Sequence, residues 1–304
     1  MRRDSELATP LADIDPADLF WPALLRYGPL GMFKVDVSVV IATYRREQLV
    51  LEAIASACAQ RGVEVEVIVV DDSPEGGVGE GVRSVDDPRV RYVHRATPSG
   101  GRPGAVRNEG VALARAPLLH FLDDDDRLFD GALHDLSMAI RASSAGMAFG
   151  RVVPFGDDVR IREQESVYFK RVASASRRIR GRRWFAAQLL FADMPLINSA
   201  CTIRRDVFEA HGGYDPDLRS CEDVDLFLRI GRERGFKFVD RDILHYRVGA
   251  PSIMNEFRKT AGKADKEMVH ESYRKMHTSY KREHGVLEYR ALQVFARASK
   301  LLFS

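Results

Sequence analysis

Apolar and polar positions alternate between two rhythms in the first half of the chain. Short runs rich in β-branched residues recur at 35–44 (VDVSVVIATY), 63–73 (VEVEVIVVDDS), 89–95 (RVRYVHR) and 117–126 (PLLHFLDDDD). Runs that are apolar on both faces suit strands covered on both sides of a sheet. Between them, 46–60 places Val50, Ile54, Ala57 and Cys58 at helical spacing, and 104–116 and 129–143 also read as helices. Strands alternating with helices of about 10–15 residues predict βαβ units and a mostly parallel, Rossmann-like α/β sheet with flanking helices.

The rhythm loosens after Gly146. Strands are expected at 147–155 and 237–248, and a helix at 221–235 with Val224, Phe227, Leu228 and Ile230 on its apolar side. Between them "SRRIRGRRWF" (176–185) packs five arginines into the seven residues 177–183, and reads as a solvated loop or as a clamp for an anionic acceptor. Prolines at 10, 16, 22 and 29 mark 1–34 as an extension, with a short docking helix at 16–27. Residues 251–304 read as a basic helical tail. From Glu256 onward it holds 11 Lys/Arg against 6 Asp/Glu, which suits packing on the body, pairing two subunits into a homodimer, or lying on an anionic membrane.

Composition narrows the class. The chain has 304 residues, 45% hydrophobic and 30% charged, within the range of soluble globular proteins. A net charge of +2 gives no polyelectrolyte argument for a nucleic-acid partner. Cys58, Cys201 and Cys221 stand far apart without a CxxC pair, which argues against a disulfide framework or a zinc site and fits a reducing compartment. No apolar stretch approaches the roughly 20 residues of a membrane span, and the first twenty residues lack the apolar core of a signal peptide. The expected location is cytoplasmic, with peripheral membrane contact left open.

Chemistry concentrates at the strand ends. In open parallel sheets ligands bind beyond the carboxyl ends of the strands. The first strand ends in Thr43, Tyr44, Arg45 and Arg46, the second in Asp71, Asp72 and Ser73, the fourth in Asp123–Asp126. Two like charges about 4 Å apart repel by roughly 1 kcal/mol in water and about 4 kcal/mol at a partly shielded site. Four adjacent aspartates therefore form a solvated turn, share protons, or await a cation. Carboxylates without cysteine make a hard oxygen site suited to Mg²⁺ or Mn²⁺, ions commonly shared with substrate phosphates. Neither GxxxxGK[ST] nor GxGxxG occurs, so ATPase and ordinary dinucleotide readings weaken.

Four blocks together, "VSVVIATYRRE", "VEVIVVDDS", "GRPGAVRNEGVALARAPLLHFLDDDD" and "GGYDPDLRSCEDVDLFLRI", resemble the family 2 glycosyltransferases of the GT-A fold, in order and spacing over roughly 36–250. The resemblance implies a domain at 35–250, with a nucleotide-binding half at 35–126 and an acceptor half at 127–250. It implies that Thr43, Tyr44, Arg45 and Asp72 hold the base and ribose, with Arg107 near the nucleotide. It makes Asp123 and Asp125 the DxD pair, Asp125 the direct ligand of a divalent cation, with Asp124 between them at the diphosphate. Asp223 becomes the catalytic base, with Glu222 beside it. Alone, acids that open a helix merely suit its dipole; "GGYDPDL" upstream favours catalysis. Tyr246 and Arg247 match the family's "YR" near the diphosphate, but Gly249 stands where a histidine or another polar residue often follows. His245 could substitute or be structural, and His94 and His120 read as structural. The implied reaction is inverting transfer of a sugar from a nucleotide-sugar, UDP by default, to a glycan, lipid-linked or small-molecule hydroxyl. Two alternatives remain: a nucleotidyltransferase, for which "ATYRREQLV" lacks the glycine and lysine of a phosphate loop, and a non-catalytic scaffold, from which the acidic motifs would be expected to be missing.

Overall fold

The computed structural model describes residues 35–191, 196–249 and 263–303. The helix expected at 16–27 lies outside them. Eight strands form one sheet: β1 (Val37–Thr43), β2 (Val65–Asp71), β3 (Val90–His94), β4 (Leu118–Phe121), β5 (Arg127–Leu128), β6 (Met147–Phe155), β7 (Cys201–Arg204) and β8 (Phe236–Arg247). Their spatial order is β3-β2-β1-β4-β7-β6-β8-β5. β3, β2, β1 and β4 run parallel, as does β6 with β8; β7 and β5 pair antiparallel with their neighbours. The fold is mixed α/β with a mostly parallel sheet.

Period-two alternation sorts β1 between two cores. Val37, Val39 and Ile41 face one side, where Val50, Ala53, Ile54 and Ala57 of α1 (Glu47–Cys58) cover them. Val40 faces the other, against Val106 and Val111 of α3 (Pro103–Leu113). These side chains are fully or almost fully buried, each contributing about 1.5–3 kcal/mol. A Cβ on Gly110 would meet Val40 Cγ1 at 2.4 Å, so glycine lets α3 lie directly on β1. The short helix α2 (Gly79–Ser84) leads into β3, and α4 (Ala132–Arg141) joins the α1 face.

Two expectations are corrected, and two strands are added. The fourth strand stops at Phe121, so the aspartates occupy a tight turn closed by Asp126 N donating to the Asp123 carbonyl (3.1 Å). Within the turn Asp124 and Asp126 are buried while Asp123 and Asp125 are partly exposed. The arginine-rich stretch is mostly helix: α5 (Val159–Arg178) and α6 (Arg182–Phe191) meet at Gly181, which takes a left-handed φ of 85°. Arg177 pairs with Asp240 and Arg183 with Glu288, so this is no free loop. Finally, β5 and β7 were not foreseen. At two and four residues they are too short for a periodic signal.

The second half adds α7 (Arg205–Ala210) and α8 (Glu222–Arg234), then the tail helices α9 (Lys263–His284) and α10 (Val286–Phe303). The tail is helical, as expected, and α10 packs on α6.

Candidate active site

Strand register sets the stage. Thr43 pairs with Asp71, which levels the ends of β1 and β2, and β4 ends alongside β1. Thr43 Oγ1 donates to Asp124 Oδ2 (2.7 Å), and Arg46 Nη1 donates to Asp124 Oδ1 (2.7 Å). The same nitrogen lies 3.0 Å from Asp125 Oδ2. Asp124 thus pins the β1 end to the aspartate turn. Arg45, with a left-handed φ of 55°, turns away and pairs with Glu75 at 2.6 Å. Its guanidinium lies 5.2 Å from the Tyr44 ring, and Tyr44 is 48% exposed. Tyr44 and Arg45 therefore border the cluster without touching the acids through any of these bonds.

Behind this rim, Asp72 is held by Arg95 (2.5 Å), the Ser99 amide (2.7 Å) and the Ser99 hydroxyl (2.6 Å). Asp71 binds Ser73 and Tyr92. Both carboxylates fix the loops around β2.

The deepest link crosses the chain. Arg107, buried on α3, donates through Nη2 to Asp123 Oδ1 (2.7 Å) and through Nη1 to Glu222 Oε1 (2.6 Å). One guanidinium thereby joins the aspartate turn to the start of α8, where Glu222 lies 115 residues along the chain from Arg107. Its flat face lies 5.6 Å from the Tyr214 ring, whose hydroxyl donates to Asn198 Oδ1 (2.8 Å). The Asp123 amide donates to Ser199 Oγ (3.0 Å). Asn198 and Ser199 come from a 3₁₀ turn at Asn198–Ala200.

Asp223 stands beside Glu222 in the first turn of α8, accepting the Val224 amide at 2.8 Å. Burial, then the adjacent Glu222 charge, push its carboxyl up to about 7, against the pull of Arg107. A carboxylate poised there can take a proton near neutral pH.

Asp126 completes the turn from below. Its Oδ1 accepts the Arg247 amide (2.9 Å), while Arg247 Nε donates to the Asp125 carbonyl (2.9 Å) and Nη2 pairs with Glu52 (2.5 Å). Arg247 therefore braces the turn against α1. Asp126 Oδ2 is buried without a hydrogen-bond partner. Burial, then the charges of Asp125 and Asp123, raise Asp126 well above the usual carboxylate range. Asp125 rises to about 6, through burial and its neighbours Asp124 and Asp123, despite Arg46. Burial and mutual repulsion thus favour protonated forms of Asp125 and Asp126 over four full charges in the turn.

That donor set suits a hard cation. Among the described residues no three His, Cys, Asp or Glu side chains converge as a ready-made metal cage. A cation here would rest on Asp125 and Asp123 and take its remaining oxygens from a ligand, the usual habit of Mg²⁺. None of the histidines hydrogen-bonds an aspartate of the turn among the described contacts, although the buried His120 feels the Asp123 charge and bonds the Ser199 backbone. The His245 ring lies on Phe129 with centroids 3.6 Å apart, His120 bonds Thr202 inside the sheet, and His94 meets the Ser73 carbonyl.

Sequence reading placed Arg46 at the first strand end but gave it no task; its grip on two aspartates became visible only in the structure. Arg95, Ser99, Asn198 and Ser199 had no recognisable local signal. Tyr214 lay inside the "GGYDPDL" block.

The family model for glycosyl transferase family 2 matches residues 38–212. The chain belongs to that family. Among curated relatives, succinoglycan biosynthesis protein ExoO of Rhizobium meliloti is 40% identical over 111 residues, covering 36% of this family 2 chain and 31% of ExoO. The putative colanic acid biosynthesis glycosyl transferase WcaA of Escherichia coli is 27% identical over 231 residues, covering 74% of this chain and 78% of WcaA. The match to ExoO therefore spans about a third of that protein. Among solved structures, S. aureus TarS 1-349 in complex with UDP-GlcNAc superposes with a TM-score of 0.55 at 16% identity, covering 86% of this chain and 79% of TarS. At that identity the likeness concerns the fold, and it matches the sheet and helix layers described above.

Proposed function

We propose that this family 2 chain is a metal-dependent, inverting glycosyltransferase. It moves a sugar from a nucleoside-diphosphate donor to a hydroxyl of a glycan or lipid-linked acceptor. The observation that carries the reading is the Arg107 bridge, which sets the aspartate turn and the Glu222–Asp223 helix start on either side of one guanidinium. A donor diphosphate at the turn and an acceptor hydroxyl at Asp223 then meet across a short gap. UDP is the preferred nucleotide, supported by the UDP-GlcNAc named for the TarS structure. Polysaccharide assembly is supported by the succinoglycan and colanic acid roles named for the relatives.

In this reading residues 35–126 form the donor half and 127–250 the acceptor half, with 1–34 and 251–304 appended. Tyr44, Arg45 and Asp72 border the base and ribose. Thr43 and Asp124 hold the turn in shape, and Arg46 offsets the charge of Asp124 and Asp125. Asp125 and Asp123 would hold Mn²⁺ or Mg²⁺. When bound, the cation acts as a Lewis acid that stabilises charge on the departing diphosphate. Asp223 takes the acceptor proton as the hydroxyl attacks the anomeric carbon from the face opposite the leaving group, which inverts that centre. Glu222 and Arg107 hold the helix start at the correct distance. Arg247 keeps the turn on α1.

The test is calorimetric titration with UDP, dTDP, GDP and CDP, with and without Mn²⁺, on wild type and Asp125→Ala. Metal-dependent binding of one nucleotide that disappears in the variant is expected. Absence of nucleotide binding under every condition would overturn the reading in favour of a scaffold.

A further inference from the structure

The tail helix α10 is apolar on two opposite faces, and only one is covered. Leu292 and Ala296 are buried toward α6 and the body. On the other side Leu287, Ala291, Val294 and Ala298 recur at spacings of four, three and four, and all four are exposed. Leu287 is 86% and Val294 67% exposed. Exposed aliphatic side chains aligned along a helix mark a contact surface rather than scattered surface residues.

Charge decides the kind of partner. Arg290 and Arg297 flank the stripe, and both are exposed. The single acid of α10, Glu288, is turned inward, bonded to Arg232 (2.8 Å) and the Tyr280 hydroxyl (2.8 Å). Arg183 of α6 also reaches Glu288 (3.2 Å). The outer stripe therefore presents aliphatic groups edged by cations, with no outward acid of α10 to balance them. Pairing with a second copy through this stripe would bring arginines against arginines. An anionic bilayer surface offers the opposite: apolar depth for Leu287 and Val294, and phosphates for the arginines.

We infer that the outer face of α10 lies on an anionic membrane surface, with Leu287 and Val294 in the headgroup boundary and Arg290 and Arg297 on lipid phosphates. No described helix is long and apolar enough to cross a membrane, so this is a surface contact. The inference stands on α10 alone and does not depend on the reaction assigned to the aspartate turn.

Sedimentation of the full chain with vesicles tests it. Vesicles of phosphatidylcholine alone are compared with vesicles containing phosphatidylglycerol. Wild type is expected to sediment with the anionic vesicles and to be released by salt. Arg290→Gln/Arg297→Gln is expected to lower partitioning about thirtyfold. Leu287→Ser/Val294→Ser is expected to lower it on anionic vesicles while the melting temperature and UDP binding stay at wild-type values. Equal sedimentation with both vesicle types, or none with either, overturns the inference. So does a concentration-dependent dimer that Leu287→Ser/Val294→Ser converts to monomer, which would assign the stripe to a second copy.

Discussion

The aspartate turn and the start of α8 are both acidic, yet their acids are handled differently. In the turn, Asp124 is bonded to Thr43 and Arg46, and Asp126 to the Arg247 amide. Those bonds lock the turn and leave Asp123 and Asp125 nearer the surface. At α8, Glu222 takes the arginine and Asp223 is left with a backbone amide alone among its hydrogen bonds in the described structure. All four aspartates of the turn are tied to neighbours, Asp123 to Arg107 and Asp125 to Arg46 as well, whereas Asp223 holds only the Val224 amide among the described residues. The difference teaches that one guanidinium can bond one of two adjacent acids and leave the other without a hydrogen-bonded cation of its own.

The largest expected break is at Asp223. Asp223→Asn keeps the shape but removes the base, and kcat should fall about 10²–10⁴-fold with UDP affinity unchanged. Full retained activity would remove Asp223 from the mechanism. Next is the shared cation. Arg107→Ala leaves Asp123 and Glu222 uncompensated, and urea unfolding should show a loss of about 3–5 kcal/mol, as for other broken buried ion pairs. A smaller effect is expected at Thr43→Val, which removes one hydrogen bond to the buried Asp124 carboxylate and should cost about 1.5–3 kcal/mol in the same measurement.

The pH profile sharpens the comparison. With the Asp223 carboxyl pushed up to about 7, its proton-accepting form is lost on acidification below that pH, whereas an ordinary aspartate would keep it to near 4. In the free enzyme kcat/KM should therefore rise with pH and level off near 7, falling about tenfold per unit below. A limb near 4 would show that Asp223 is not the titrating base. The smallest effect is expected at Arg46→Gln. It removes the guanidinium that shares Asp125, so Mn²⁺ titrated without nucleotide should bind severalfold more tightly. Unchanged Mn²⁺ affinity would separate Arg46 from the cation site.

Much of the donor side was legible because its determinants are local. The runs at 37–43 and 65–71 are long enough for β-branched residues to declare strands, and helical spacing declared α1 and α3. The motif blocks drew attention to Thr43, Asp123–Asp126 and Asp223, whose roles remain to be tested. β5 and β7 stayed hidden, because strands so short are held by neighbours distant in sequence. The arginine-rich stretch was misread for a similar reason. Its five arginines are exposed, as their charge suggests, but the backbone is helical on both sides of Gly181, and Asp240 and Glu288 supply partners from β8 and α10.

The sequence by itself determined the mixed α/β layering, the acidic strand ends and the family. Each follows from short-range periodicity or from residue types that chemistry restricts. Only the tertiary structure decided that Arg46 rather than Arg45 meets the aspartates, and that Arg107 spans from Asp123 to Glu222. It also decided that α10 keeps an apolar face outward. Those facts depend on directions of side chains brought together across tens to hundreds of residues, and no local pattern encodes a direction in space.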